Sequence, residues 1–78
     1  MQTKFKRHQV VTILRAPMSE YIEFYGDEQE IKPGMKGKVN LILSNGQYHV
    51  EILDQKGETL AYAPFNEEDL EAELPTTP

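Results

Sequence analysis

The side chains that could do covalent or acid-base chemistry are few. His8 and His49 are the only imidazoles, and there is no cysteine. A zinc centre takes three or four ligands at recognisable spacings. Here the remaining ligands would have to be carboxylates without such spacing, so no metal is expected. His49 falls on the outer face of its expected strand, in phase with Glu51. As a general base it would need an oriented partner and a pocket, and the sequence announces neither. Ser19 and Ser44 lie in no elbow or triad context, the glycines build no Walker or dinucleotide loop, and the acids are too scattered to nominate a catalytic pair. The chain reads as non-enzymatic, with no catalytic residue and no cofactor.

Two groups of side chains are suited to binding instead. Tyr21, Ile22, Phe24 and Tyr25 fall together between Pro17 and Pro33. Aromatic rings offer large contact area at modest entropic cost and are enriched where proteins meet. With Glu20, Glu23, Asp27, Glu28 and Glu30 around them, Tyr21, Phe24 and Tyr25 would suit a basic partner with apolar side chains, or a second copy of the chain. Residues Tyr21, Glu23, Phe24, Tyr25 and Asp27 are therefore the candidate protein-binding set. The same rings could equally turn inward and close a small core. The second group is Lys32, Lys36 and Lys38 in IKPGMKGKV, a segment similar to the KOW turn-and-strand motif of ribosomal and transcription proteins that touch RNA. Three phosphate contacts there would give a salt slope of about −2 to −3.

Something must position these groups, and the patterning is that of strands. RHQVVTILRAP places Val11 and Ile13 inward and halts at Ala16-Pro17, which predicts a first strand over 9–15. Over residues 18–30 neither period persists, and a long, partly ordered connection is expected. Pro33-Gly34 opens a turn, and Gly37 permits a close backbone approach in a bent strand. In KGKVNLILS, residues Val39, Leu41 and Leu43 alternate against Lys38, Asn40, Ile42 and Ser44. Asn45-Gly46 suits a two-residue type I′ hairpin. The return strand puts Tyr48, Val50 and Ile52 on one face. A second turn over 54–57 leads to ETLAYAPF, with Leu60 and Tyr62 on one face, Ala61 and Ala63 on the other, and Pro64 as the stop. Asn66 is placed to cap a short helical turn that returns Leu70 to the core. The tail, 73–78, is expected to fray.

Seventy-eight residues allow one domain, assigned to 5–72. Hydrophobic residues make up 38% and charged residues 27%, within the globular range. No apolar run approaches the about 20 residues of a membrane span. Without cysteine the fold rests on packing alone, and with no signal-like apolar leader the expected location is the cytoplasm. Thirteen acids against eight bases give a net charge of −5, which works against binding phosphate backbones or anionic lipid. The charge is polarised: residues 1–15 hold four bases and no acid, and residues 66–74 hold five acids and no base.

Short strands joined by one long connection, a tight hairpin, a second tight turn and a helical turn amount to a small, partly open SH3-like β-barrel of about five strands. FKRHQVVTIL, PGMKGKV, YHVEILDQKGETLA and NEEDLEA also carry a resemblance: over about residues 5–71 the chain is similar to a family of small bacterial proteins known as a domain of unknown function. Gly34, Gly37, Val39, Tyr48, Val50, Glu51, Asp54 and Gly57 match its turn and strand motifs. That resemblance implies an SH3-like barrel and names no activity, and residues 18–30 depart from it in length and aromatic content. The functional expectation is a non-catalytic module or accessory subunit whose acidic face docks a basic protein. The alternative is an RNA- or ribosome-associated accessory domain using Lys32, Lys36 and Lys38.

Overall fold

The computed structural model describes residues 4–73. Among these, six strands form one antiparallel sheet: β1 (Val10–Ile13), β2 (Glu23–Phe24), β3 (Lys36–Ile42), β4 (Tyr48–Leu53), β5 (Thr59–Phe65) and β6 (Leu70–Ala72). Their spatial order is β2-β5-β4-β3-β1-β6, so β2 and β6 are the two ends and the sheet stays open. The helical content described is two 3₁₀ turns, Ser19–Tyr21 and Glu67–Asp69. This is the all-β, partly open architecture that the patterning predicts, with six strands rather than about five. No described helix is long and apolar enough to cross a membrane.

The meander β3-β4-β5 is the best-patterned part. Tyr48, Val50 and Ile52 of β4 are buried and alternate with half-buried His49, Glu51 and Leu53. On β3 the expected alternation fails after Val39. Val39 pairs with Val50 but Leu41 pairs with His49, leaving Asn40 as the extra residue of a bulge. Beyond it Leu41 and Ile42 are both exposed, and Leu43 is only half-buried. The bulge is held from two sides. Arg7 Nε donates to the Asn40 carbonyl at 3.2 Å, and Asn40 Nδ2 lies 3.0 Å from His49 Nδ1. On β5 a second irregularity isolates Leu60, because Ile52 pairs with Ala61 while Leu53 pairs with Thr59. Leu60 and Ala61 are both buried, and Tyr62 stands on the opposite face from Ala61, Ala63 and Phe65. The expected partnership of Leu60 with Tyr62 is thus replaced by Ala61, Ala63 and Phe65 inward.

The hairpin also departs from the expected type I′ turn. Gly46 N–H donates to Leu43 O at 3.0 Å and Leu43 N–H to Gln47 O at 2.8 Å. Only Gly46 has positive φ, at 90°. This is a three-residue loop, a type I turn closed by a left-handed glycine. Asn45 contributes through its side chain, Oδ1 accepting from Gln47 N–H at 3.0 Å. The turn after β4 has the same build: Gly57 N–H donates to Asp54 O at 3.0 Å, and Asp54 Oδ1 accepts from Lys56 N–H at 2.8 Å and Glu58 N–H at 2.9 Å. Pro64 does not stop β5, which runs on to Phe65. β2 covers β5 only at Tyr62 and Ala61, so Pro64 sits where its missing N–H faces an uncovered edge.

The first strand is shorter than 9–15 because Leu14 leaves the ladder, its N–H donating to Asp69 O at 2.8 Å. Ile13 is held instead by the turn before β3: its N–H donates to Met35 O at 2.8 Å, and Gly34 N–H donates to its carbonyl at 2.7 Å. The connection over 18–30 contains a 3₁₀ turn and the two-residue β2. Asn66 does not cap the second 3₁₀ turn with its side chain; Oδ1 accepts from Gln47 Nε2 at 3.1 Å. After that turn the chain pairs with β1, Ile13 opposite Leu70 and Val11 opposite Ala72. This sixth strand follows once Leu70 is buried, since β1 has one open side. The tail assigned to 73–78 lies outside the described residues except for Glu73, whose N–H donates to Val10 O at 3.3 Å.

The core joins Val11 and Ile13 of β1, Val39 of β3, the three inward residues of β4, Leu60, Ala61, Ala63 and Phe65 of β5, and Leu70 of β6, with Phe5 and Ile31 closing it from outside the sheet. No polar or charged residue described is buried in it.

Candidate functional site

The concavity of functional interest lies where the first connection meets the end of β5. Arg15 follows β1, Pro17 and Met18 lead into the first 3₁₀ turn, and Tyr21 ends that turn, forming one wall. Gln47, Pro64, Phe65, Asn66 and Asp69 form the other. The groove between them has a volume of about 420 Å³. Backbone and amide bonds fix the walls: Tyr21 N–H donates to Met18 O at 3.0 Å, Asp69 N–H to Asn66 O at 3.0 Å, and Leu14 N–H ties the start of the loop to Asp69 O. Met18 is 63% exposed and Tyr21 57%. Large apolar side chains left so open beside two prolines make a surface that favours an apolar partner.

Charge around the groove has one sign on the 3₁₀ turns. The first carries Glu20, the second Glu67, Glu68 and Asp69, and neither carries a base. Asp69 is the acid that enters the groove. Its side chain is 15% exposed, and Arg15 Nη1 stands 3.5 Å from its Oδ1. That oxygen is buried and accepts no hydrogen bond among the described residues.

The five aromatic-loop candidates divide among different surfaces. Tyr21 lines the groove. Glu23 and Phe24 pair with Tyr62 and Ala61 of β5, so successive side chains point to opposite faces. Phe24 packs half-buried against the core together with Ile22, and borders a separate cavity of about 480 Å³ with Pro17, Ile22 and Ile31. Glu23 is exposed, and Tyr25, with N–H donating to Leu60 O at 3.0 Å, is 76% exposed. Asp27 is exposed in the loop beyond. Replacing Phe24 by Ala is expected to cost about 1–2 kcal/mol, short of the about 3–5 kcal/mol of a fully buried ring. Tyr25→Ala should stay within about 0.5 kcal/mol. Urea unfolding of the two variants reads the difference; equal costs would contradict the opposite placement of the rings.

The lysine candidates lie elsewhere. Lys32 and Lys36 border a shallow depression of about 870 Å³ that also holds Lys56 and the acids Glu30, Asp54 and Glu58. Lys32 Nζ is 3.9 Å from Glu30 Oε1, Lys36 Nζ forms an ion pair with the Glu73 carboxylate, and Lys38 is in cross-strand register with Glu51. Each lysine therefore has an acid nearby, which lowers the positive potential that a phosphate backbone would meet. His49 stacks on Tyr62 on the outer face, ring centroids 5.5 Å apart and planes 10° from parallel.

Arg15, Met18, Pro64 and Asp69 are the groove residues that sequence reading passed over. Met18 stands in an unpatterned stretch, Pro64 has the look of a strand stop, and Asp69 is one of five acids over 66–74. They meet because β6 pairs with β1, Ile13 opposite Leu70, and Leu14 N–H bonds to Asp69 O just beyond that pairing, across residues far apart in the chain. No family model, no curated protein and no solved structure matches this chain.

Proposed function

We propose that the protein is a non-catalytic binding module that docks a basic, apolar-containing segment of another protein. The observation that supports this reading most directly is the groove itself: exposed Met18 and Tyr21 beside Pro17 and Pro64, between two 3₁₀ turns that carry acids and no bases. Apolar surface supplies the affinity, and the acidic surroundings select against acidic partners and speed encounter with basic ones. A cytoplasmic location and kinship with the small bacterial SH3-like family belong to the same proposal. The alternative, RNA binding through Lys32, Lys36 and Lys38, has the matched acids against it.

The test is capture from cells with tagged protein, wild type against Tyr21→Ala, at about 50 mM and about 200 mM salt, where screening shortens the reach of charge attraction. The expected result is a nuclease-resistant protein that co-elutes with wild type, weakens with salt, and is lost with Tyr21→Ala. Co-elution that depends on RNA and on the three lysines would replace this reading with the alternative.

A further inference from the structure

Asp69 is unusual among the acids of this chain. Most of the others described are exposed, and Glu51 and Asp54 are part-buried as it is, but among the described residues Asp69 alone has a buried carboxylate oxygen without a hydrogen bond, its side chain being 15% exposed. A buried acceptor without a donor is costly, and a buried carboxylate more so, unless a cation answers it. The cation present is Arg15, whose side chain is 76% exposed and whose Nη1 stands 3.5 Å away. That distance is a charge contact, not a formed hydrogen bond. An ion pair in which the cation is solvated and poorly aligned contributes little. Asp69 therefore keeps an unused acceptor, and the group facing it is held weakly.

The backbone that carries the carboxylate is nevertheless fixed: the N–H of Asp69 donates to Asn66 O and its carbonyl accepts from Leu14 N–H, so the residue stays at the groove independently of Arg15. The same groove presents Met18, Tyr21 and Pro64. Apolar walls with one converging, incompletely bonded acid are the arrangement by which a small pocket fixes orientation and class of ligand.

Resting on the docking function proposed above, we propose that Asp69 is the cation-recognition point of the groove, and that an arginine side chain of the partner segment displaces Arg15 from it. Arg15 itself shows that a guanidinium reaches the carboxylate. A partner guanidinium brought in along the apolar walls donates hydrogen bonds to the carboxylate that Arg15 leaves unmade, and charge-assisted bonds of this kind are the stronger ones. In the free protein Arg15 acts as a weak internal competitor.

The test is amide NMR titration of the full chain with two peptides, acetyl-Pro-Leu-Arg-amide and the same peptide with citrulline, which keeps the shape and removes the charge. Concentrations up to about 10 mM fill a site of about 1 mM affinity. The arginine peptide is expected to shift the amides of Tyr21 and Asp69 and to bind about threefold to tenfold more tightly than the citrulline peptide. Arg15→Ala should tighten the arginine peptide by a few fold and leave the citrulline peptide unchanged. Asp69→Asn should bind both peptides equally, and it removes no hydrogen bond that the carboxylate makes among the described residues. Equal binding of the two peptides by the wild-type chain would overturn the role of Asp69 and leave the groove reading standing. An Arg15→Ala chain that binds the arginine peptide no better would overturn the displacement. No shift at Tyr21 with either peptide would overturn the groove reading and this inference together.

Discussion

Gly37→Val is expected not to fold. Gly37 is in register with Val11 of β1 and Ile52 of β4, so its Cα has a strand on each side. A Cβ built there would stand 2.5 Å from Val50 Cγ1, 3.3 Å from the Glu51 carbonyl oxygen and 3.7 Å from Val11 Cγ2. Val50 is fully buried, so it can give way only by pushing into the packed core. Even Ala forces it aside, at about 1–3 kcal/mol for an overpacked core, and the branched methyls of Val extend the conflict toward both strands. A domain of this size has only about 4–12 kcal/mol in total. Gly37→Ala should thus give a lowered urea midpoint, and Gly37→Val a chain without near-ultraviolet circular dichroism. Gly26→Ala is the control, because a Cβ there meets nothing within 4 Å and the change should stay within about 0.5 kcal/mol. A Gly37→Val chain as stable as wild type would mean that β3 does not pass this close to β4.

The need for glycine at this position is legible in the sequence because it is punctuation inside an otherwise β-branched, alternating run. The same kind of signal announces β4, whose three inward residues stand where the alternation puts them. Bulges are different. Asn40 and Leu60 carry no composition that marks an extra residue, yet Asn40 turns Leu41 from the expected inner face to the outside. The bulge is fixed by Arg7, remote in the chain, donating to its carbonyl. β2 is two residues long, too short for any period to register, and β6 exists because β1 has an open side, which is a tertiary fact. The candidate site divides in the same way. Aromatic density in the first connection pointed to Tyr21, one wall of the groove, but not to the separation of Phe24 from Tyr25, which a pairing register of two residues decides. The opposite wall, Pro64 and Asp69, comes from a segment whose local reading was of a strand end and a cap.

Phe5→Ala should be among the most damaging substitutions in the chain, although nothing in the strand pattern marks Phe5 and it stands among the bases Lys4, Lys6 and Arg7. Phe5 is fully buried and packs edge-on against Tyr48, ring centroids 5.3 Å apart at 73°, the geometry in which an aromatic pair adds about 0.5–1.5 kcal/mol beyond burial. The Tyr48 hydroxyl accepts the N–H of Lys4 at 3.0 Å and that of Phe5 at 3.2 Å. One side chain of β4 therefore both packs against Phe5 and satisfies the backbone that carries it. Truncating Phe5 is expected to cost about 3–5 kcal/mol. Tyr48→Phe keeps the ring and removes the acceptor, so it should cost about 1–3 kcal/mol for a buried donor left unsatisfied. The two changes share one contact, so their sum should overshoot the double variant Phe5→Ala with Tyr48→Phe by more than the about 0.3–0.5 kcal/mol within which distant sites add. Once Phe5 is gone the segment has little reason to stay on the tyrosine, and the lost hydroxyl is hardly missed. Urea unfolding of the four chains closes the cycle. Strict additivity would mean that the N-terminal segment is held by something other than Tyr48.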